Sequence, residues 1–145
     1  MSSSEKEKNH RILVVDDEAD VLDFLTMYLE SLGWEVTTAQ SAALALNELE
    51  KNSFFLILTD IAMPDMDGYE FVSSIKQKLI TSRLVLMTGF GYNPEHTLIK
   101  INKSIRYPCL FKPFDREKVA DAVLKAWQEY NREIIASENT TNCAG

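Results

Sequence analysis

The sequence predicts a doubly wound α/β domain: a parallel sheet of five strands with helices on both faces. Short apolar runs with strand character alternate with amphipathic helical stretches along the chain. This alternation is typical of a parallel sheet whose crossover helices cover both faces. The chain has 145 residues, of which 46% are hydrophobic and 26% charged, so it is long enough for one domain with a substantial core.

In the first half of the chain, three apolar runs predict strands at 11–15, 34–39 and 54–59. Spacings of three and four residues predict a helix over 18–32, with one face formed by Val21, Leu25, Tyr28, Leu29 and Leu32. Gly33 stands where a helix C-terminal cap is expected. Ser41 is placed to cap a second helix that runs to about residue 51.

The second half continues the alternation after a loop rich in proline, aspartate and glycine. Its next elements are expected in the order helix, strand, helix, strand, at 69–79, 83–88, 95–105 and 107–111. Asp115 is placed to cap a long final helix that reaches about residue 135. Trp127 and Tyr130 lie on the apolar stripe of this helix, so we expect them to pack against the core or an interface.

One domain is expected over 11–135, between a disordered lead at 1–10 and a polar tail at 136–145, because both ends are polar. The net charge of −7 argues against binding nucleic acid through bulk electrostatics. No apolar run approaches the roughly 18 residues of a membrane span, and the start does not resemble a signal peptide. We therefore expect a cytoplasmic protein that binds neither nucleic acid nor membrane.

Charged residues follow three of the predicted strands. Asp16 and Asp17 follow the first, Asp60 follows the third and Lys112 follows the fifth. Ligands of open α/β sheets bind at the carboxyl ends of the strands, where these carboxylates would repel one another without a cation. A hard divalent cation with oxygen ligands fits, and Lys112 supplies a fixed positive charge. The sequence therefore predicts a Mg²⁺ and phosphate site.

Asp60 is the candidate nucleophile. A carboxylate at a strand end can attack a phosphoryl group and form an acyl phosphate. The reaction needs a metal and a Lys or Arg, because phosphoryl transfer depends on positioning and on neutralising oxygen charge. Pro64 and Gly68 in the following loop set the turn geometry.

Four features together closely resemble the receiver domain of response regulators. They are Asp16-Asp17, the Asp-x-x-Met-Pro-x-x-Asp-Gly stretch that starts at Asp60, Thr88 after a strand, and Lys112-Pro113-Phe114. The match covers residues 11 to about 135. It implies a flavodoxin-like fold, as in the chemotaxis regulators, with strand order 2-1-3-4-5.

The resemblance implies the roles of the site residues. Asp60 would accept a phosphoryl group from a histidine kinase or phosphotransfer protein. Asp17, Asp60 and the backbone carbonyl of Ala62 would ligate Mg²⁺, with Asp16 acting through a bound water. The protein would be no enzyme beyond catalysing its own phosphoryl transfer and slow dephosphorylation.

Signalling, by the same resemblance, would run through the other two conserved positions. Lys112 would pair with a phosphoryl oxygen, and the Thr88 hydroxyl would turn toward the phosphoryl group and move the loop that follows. A downstream protein would read this change, and a homodimer through the last two elements is a further hypothesis.

The chain departs from the family at Cys109, Ala62 and Phe90, and its predicted fourth helix carries residues 103–106 where the family typically has Gly-Ala before the last strand. Cys109 stands where the family has an aromatic switch residue, with Tyr107 expected on the same face of the strand. We therefore expect switching through Thr88 with little aromatic gating. Ala62 and Phe90 are apolar where the family tunes dephosphorylation, so a long-lived phosphoryl group is expected.

Other interpretations are weaker. Asp16 and Asp17 could cap a helix, and Asp60 could be a turn residue. A dehalogenase-type phosphatase would place Asp65 directly after a strand, and an EF-hand loop would need Glu at Lys76. The serious alternative is a receiver-like module that binds partners without phosphorylation. Both histidines, His10 and His96, are expected to be exposed.

Overall fold

The computed structural model describes residues 10–61, 68–78, 80–89 and 107–144, without the side chains of 68, 69 and 134–144. One sheet of five strands has the order β2-β1-β3-β4-β5, and every neighbouring pair is parallel. The strands are β1 (Arg11–Val15), β2 (Glu35–Ala39), β3 (Leu56–Asp60), β4 (Arg83–Thr88) and β5 (Cys109–Phe111). The predicted sheet and its strand order are confirmed.

Helices cover both faces of this sheet. They are α1 (Ala19–Ser31), α2 (Ala42–Lys51), α3 (Gly68–Gln77) and a C-terminal helix (Arg116–Ala144). Successive strand residues point to opposite faces, so Leu13 and Val15 pack with residues of α2 and α3. Ile12 and Val14 pack with residues of α1 and the C-terminal helix. The doubly wound arrangement is therefore confirmed.

The predicted caps are present. The Ser41 side-chain oxygen accepts a hydrogen bond from the Leu44 backbone N–H at 3.2 Å. Asp115 Oδ1 accepts from the backbone N–H groups of Glu117 and Lys118, at 2.9 and 3.4 Å. Gly33 has a φ of 102°, a conformation that glycine adopts readily and that commonly ends helices.

Three strands differ in their bounds from the sequence prediction, and β2 starts at Glu35, one residue later than expected. β3 starts two residues later than expected and includes Asp60 as its last residue. β5 lacks residues 107 and 108. Pro108 has no N–H to donate to the ladder, although its carbonyl still accepts from Leu86 N at 2.9 Å.

Two helix expectations also need correction. Leu32, expected on the buried face, is 48% exposed because α1 ends at Ser31. The C-terminal helix continues to Ala144, beyond the expected end near residue 135. No proline or glycine interrupts this stretch, and its serine, asparagines and threonines lower helix propensity without stopping a helix. The helix expected over 95–105 and His96 lie outside the described residues.

An aromatic cluster joins the C-terminal helix to the amino ends of the strands. The Trp127 ring lies 5.1 Å from Phe55, 5.5 Å from Trp34 and 4.7 Å from His10 between ring centroids. His10 stacks on Trp127 and is half-buried, so the prediction of an exposed His10 was wrong. Trp127 and Tyr130 pack against the core as predicted.

Candidate functional site

Four neighbouring strands place the functional residues at one edge of the sheet. Asp16 follows β1, Asp60 ends β3, Thr88 ends β4 and Lys112 follows β5. These strands lie side by side in the order β1-β3-β4-β5. Because all four run parallel, their carboxyl ends meet at the same edge.

Backbone hydrogen bonds fix the residues beyond the strand ends. Lys112 N donates to Thr88 O at 2.9 Å, and Asp16 N donates to Ala39 O at 3.1 Å. Ile61 N donates to Met87 O at 3.1 Å, directly after Asp60. The sheet ladder therefore sets the positions from which the site side chains project. The Lys112–Pro113 peptide bond is cis.

Three carboxylates converge at this edge. One oxygen from each of Asp16, Asp17 and Asp60 lies within 4.8 Å of the other two. Asp16 is completely buried and Asp60 is 5% exposed, whereas Asp17 is exposed. A set of carboxylate oxygens suits a hard divalent cation such as Mg²⁺, and the exposed Asp17 gives access from solvent. These three residues could hold Mg²⁺.

Lys112 lies inside the acidic cluster. Its Nζ is 2.7 Å from Asp16 Oδ2 and 3.3 Å from Asp60 Oδ2, and its side chain is 13% exposed. A third contact joins Nζ to Glu18 Oε1 at 2.9 Å. Burial alone would lower the pKa of Lys112, but Asp16, Glu18 and Asp60 together raise it well above its usual range. Lys112 is therefore a permanent cation of the site.

The carboxyl group of Asp16 feels opposing effects. Burial raises its pKa above the ordinary value and is the largest effect. Lys112 and a hydrogen bond from the Glu18 backbone N–H, at 2.9 Å to Oδ1, act in the opposite direction. Apart from the contact with Lys112, Asp16 Oδ2 meets no hydrogen-bond donor in the described part of the chain.

The sequence reasoning missed Glu18 as a member of the site. Its side chain is 61% exposed, yet it reaches the Lys112 ammonium. A signal was present in the run Asp16-Asp17-Glu18, where a third acidic residue directly follows the pair at the strand end. Composition alone did not show that its side chain would reach the Lys112 ammonium.

Thr88 is buried at the end of β4, with 3% exposure. Its Oγ1 has no hydrogen-bond partner among the residues that the structure describes. An unpaired buried hydroxyl costs free energy, and such a group is available for a new acceptor. Ala62 and Phe90, named above for the metal and for dephosphorylation, lie outside the described residues.

Tyr107 and Cys109 pack against one hydrophobic cluster, which also contains Leu84 and Leu86 of the neighbouring strand β4. The expectation that Tyr107 and Cys109 share a face is therefore confirmed. Burial raises the pKa of the Cys109 thiol above its ordinary value. This thiol is therefore a packing group with weak acidity.

Comparison with known proteins agrees with this geometry. The family model described as the response regulator receiver domain matches residues 12–124. The chain belongs to the response regulator receiver family. Receiver domains are signalling modules of two-component systems and generally have no enzymatic activity. Phosphorylation and Mg²⁺ binding at an acidic pocket are typical of the family.

Individual relatives support the assignment. The chain is 32% identical over 118 residues to the receiver protein CpdR of Brucella abortus, covering 79% of this chain and 94% of CpdR. It is 31% identical to the transcriptional regulatory protein FixJ of Bradyrhizobium diazoefficiens, covering 90% of this chain and 64% of FixJ. A sensor kinase/phosphatase of Vibrio cholerae, CqsS, matches at 32% identity over 17% of its own length. The chain thus spans less than two thirds of several relatives.

Solved structures show the same fold. The beryllofluoride-activated NtrC4 receiver domain dimer superposes with a TM-score of 0.74 and 34% identity, over 83% of this chain and 98% of that one. A CheY-like receiver domain from Methanospirillum hungatei has a TM-score of 0.74 and 29% identity, over 85% and 97%. None of the helices in the described ranges has the length and apolar composition of a membrane span.

Proposed function

We propose that this chain accepts a phosphoryl group on Asp60 in a Mg²⁺-dependent reaction and signals by switching a protein-binding surface. One observation carries the proposal: Asp60 Oδ2 lies 3.3 Å from Lys112 Nζ, within a cluster that also contains Asp16 and Asp17. A carboxylate nucleophile, a fixed cation and metal-binding oxygens are the parts that phosphoryl transfer to an aspartate needs.

Asp17 and Asp60 would hold Mg²⁺, with the Ala62 carbonyl, and Asp16 would act through a water. When bound, the metal supplies charge neutralisation for the phosphoryl oxygens. An Asp60 oxygen attacks phosphorus and forms the new O–P bond. The bond from phosphorus to the donor breaks, and its electron pair leaves with the donor. Lys112 donates an N–H to a phosphoryl oxygen and offsets its added charge.

The phosphoryl group carries about two negative charges, and the residues next to Asp60 can respond to them. The Thr88 hydroxyl is buried without a partner in the described structure, so a phosphoryl oxygen would give it an acceptor. We expect Thr88 to turn toward that oxygen. Tyr107 and Cys109 pack against the core cluster, and we expect them to stay there after phosphorylation. Movement of an aromatic side chain would then contribute little to switching.

The proposed partners follow from the chemistry. A sensor histidine kinase or phosphotransfer protein would supply the phosphoryl group, and a downstream protein would read the switch. A homodimer through the last two elements remains a hypothesis, and the receiver is proposed to span 11–135. A cytoplasmic location also stays a prediction.

Intact mass spectrometry after incubation with Mg²⁺ and acetyl phosphate or phosphoramidate tests the proposal. We expect one added phosphoryl group on the wild type and none on Asp60→Asn. Asp121→Asn, an exposed position on the C-terminal helix, is the matched control and should label like the wild type. Absence of an adduct, with Mg²⁺ binding shown separately, would favour the interaction module that works without phosphorylation.

A further inference from the structure

Glu18 closes a ring of contacts around the site. Its backbone N–H donates to Asp16 Oδ1 at 2.9 Å. Asp16 Oδ2 lies 2.7 Å from Lys112 Nζ, and Lys112 Nζ donates to Glu18 Oε1 at 2.9 Å. The main chain of Glu18 therefore orients Asp16 while its side chain holds the cation that Asp16 binds.

The Glu18 side chain has no other structural task in the described residues. Glu18 is the N-cap residue of α1, but its side chain makes no capping hydrogen bond. The start of α1 is instead held by the Glu18 carbonyl, which accepts from Val21 N and Leu22 N at 3.1 and 3.3 Å. A side-chain substitution at Glu18 can therefore change the Lys112 contact and leave the helix start in place.

The Lys112 ammonium has three N–H donors, and the three carboxylates of Asp16, Glu18 and Asp60 lie within reach of them. Asp60 must stay in place as the nucleophile, so an oxygen of the incoming phosphoryl group can engage Lys112 only if the contact of Asp16 or of Glu18 yields. Asp16 is completely buried, so losing its cation would leave a buried charge unpaired at high cost. Glu18 is 61% exposed, and water can replace its contact at little cost.

We propose that Glu18 is a positioning residue that holds the Lys112 ammonium toward the acidic cluster before phosphorylation and releases it to the phosphoryl group. This inference rests on the proposed function. Glu18 thereby competes with the phosphoryl oxygen for Lys112, and its negative charge also opposes the approach of an anionic donor.

The substitution Glu18→Gln tests this competition, because it removes the charge and keeps the size of the side chain. Glu30→Gln is the matched control: it makes the same change at an exposed position near the other end of α1. With Mg²⁺ saturating for each protein, the labelling rate at low acetyl phosphate concentration should rise about 1.5- to 5-fold in Glu18→Gln, the range expected for one exposed ion pair. It should not change in Glu30→Gln.

A second measurement separates positioning from a general structural effect. The NMR signal of the Lys112 ammonium reports its partners directly. Without donor, this signal should differ between the wild type and Glu18→Gln because one contact is lost. With excess donor and Mg²⁺, the two phosphorylated proteins should give the same signal, since the side chain at position 18 no longer contacts Lys112 in either.

The possible results distinguish a failure of the proposed function from a failure of the role of Glu18. If the wild type takes no label, both the proposed function and this inference are overturned. If the wild type labels but Glu18→Gln labels at the rate of Glu30→Gln, only the role of Glu18 fails. A Lys112 signal that is unaffected by Glu18→Gln before phosphorylation, or that still differs afterwards, also contradicts that role.

Discussion

The Asp16 and Lys112 side chains form an ion pair across the sheet edge, with Oδ2 and Nζ 2.7 Å apart. Asp16 follows β1 and Lys112 follows β5, and two strands, β3 and β4, lie between them. The carboxylate is fully buried and the Lys112 side chain is 13% exposed. The pair thus links the two sides of the site, and each charge depends on the other to offset its desolvation.

Removing the cation should leave Asp16 buried without its partner. We expect Lys112→Met to lower the free energy of unfolding at neutral pH by about 3 kcal/mol. Lys78→Met is the control: the Lys78–Glu50 pair is 3.9 Å long and largely exposed, so its loss should cost less than about 1 kcal/mol. Urea unfolding without Mg²⁺ measures both, and equal losses would contradict the prediction.

The raised pKa of Asp16 predicts a pH dependence of stability. The Asp16 carboxyl binds its proton more tightly in the folded protein than in the unfolded chain. Protonated Asp16 therefore adds to the free energy of unfolding below the ordinary pKa of 3.8, and this addition is lost as pH rises through the raised pKa. Asparagine at position 16 does not ionise, so Asp16→Asn does not lose stability in this way. Its side-chain oxygen can still accept the hydrogen bond from Glu18 N. The stability of Asp16→Asn relative to the wild type should therefore rise as pH increases from about 3.8 through the raised pKa of Asp16. For Asp121→Asn the difference should stay flat.

Two buried threonines allow a matched test of the Thr88 hydroxyl. Thr59 Oγ1 donates to Asp60 O at 3.0 Å, whereas Thr88 Oγ1 has no partner in the described chain. Without phosphorylation, Thr88→Val should raise the free energy of unfolding by about 1 kcal/mol, and Thr59→Val should lower it by about the same amount. A loss of stability in Thr88→Val would show that its hydroxyl is already satisfied.

Mg²⁺ should stabilise the folded protein through the carboxylate cluster. At a concentration about ten times its Kd, the metal should add about 1.4 kcal/mol to the free energy of unfolding. Asp17→Asn should remove most of this gain, because Asp17 is the exposed carboxylate of the cluster. Asp20→Asn, exposed in the first turn of α1, should keep it. Thermal unfolding with and without Mg²⁺ gives the comparison.

The phosphoryl group on Asp60 should be long-lived, because Ala62 and Phe90 carry no group that could orient an attacking water. After removal of the donor, the added mass should persist well beyond the seconds typical of rapid chemotaxis-type signalling. Phe90→Glu would introduce a hydrogen-bonding group and should shorten the lifetime. Decay of the wild-type adduct within seconds would contradict this expectation.

Most of the fold could be predicted because the spacing of hydrophobic residues reflects which faces of the helices and strands are buried. The apolar run of β1 and the stripe that includes Leu25 and Leu29 are set by burial, which the sequence pattern reflects directly. Boundaries were less predictable: Pro108 shortens β5 through a missing donor, and Leu32 is exposed because α1 stops one residue before it. Both depend on local backbone geometry.

The same distinction applies to the functional site, where some features could be predicted from the sequence and others could not. Asp16, Asp60, Thr88 and Lys112 could be placed because each stands at the end of a strand, and parallel strands bring their ends together. Two other features could not be predicted: the contact of Glu18 with Lys112, and the packing of His10 against Trp127. Both depend on how side chains from distant segments are oriented, which spacing along the chain does not encode.

The aromatic cluster also determines which part of the molecule tryptophan fluorescence can report on. Its two tryptophans, Trp34 and Trp127, touch each other at the amino ends of the strands. The carboxylates lie beyond the opposite ends, about 17 Å away along a strand of five residues. Tryptophan fluorescence therefore reports on the seating of the C-terminal helix. Any spectral change that accompanied modification of Asp60 would measure a rearrangement transmitted along the full length of the sheet.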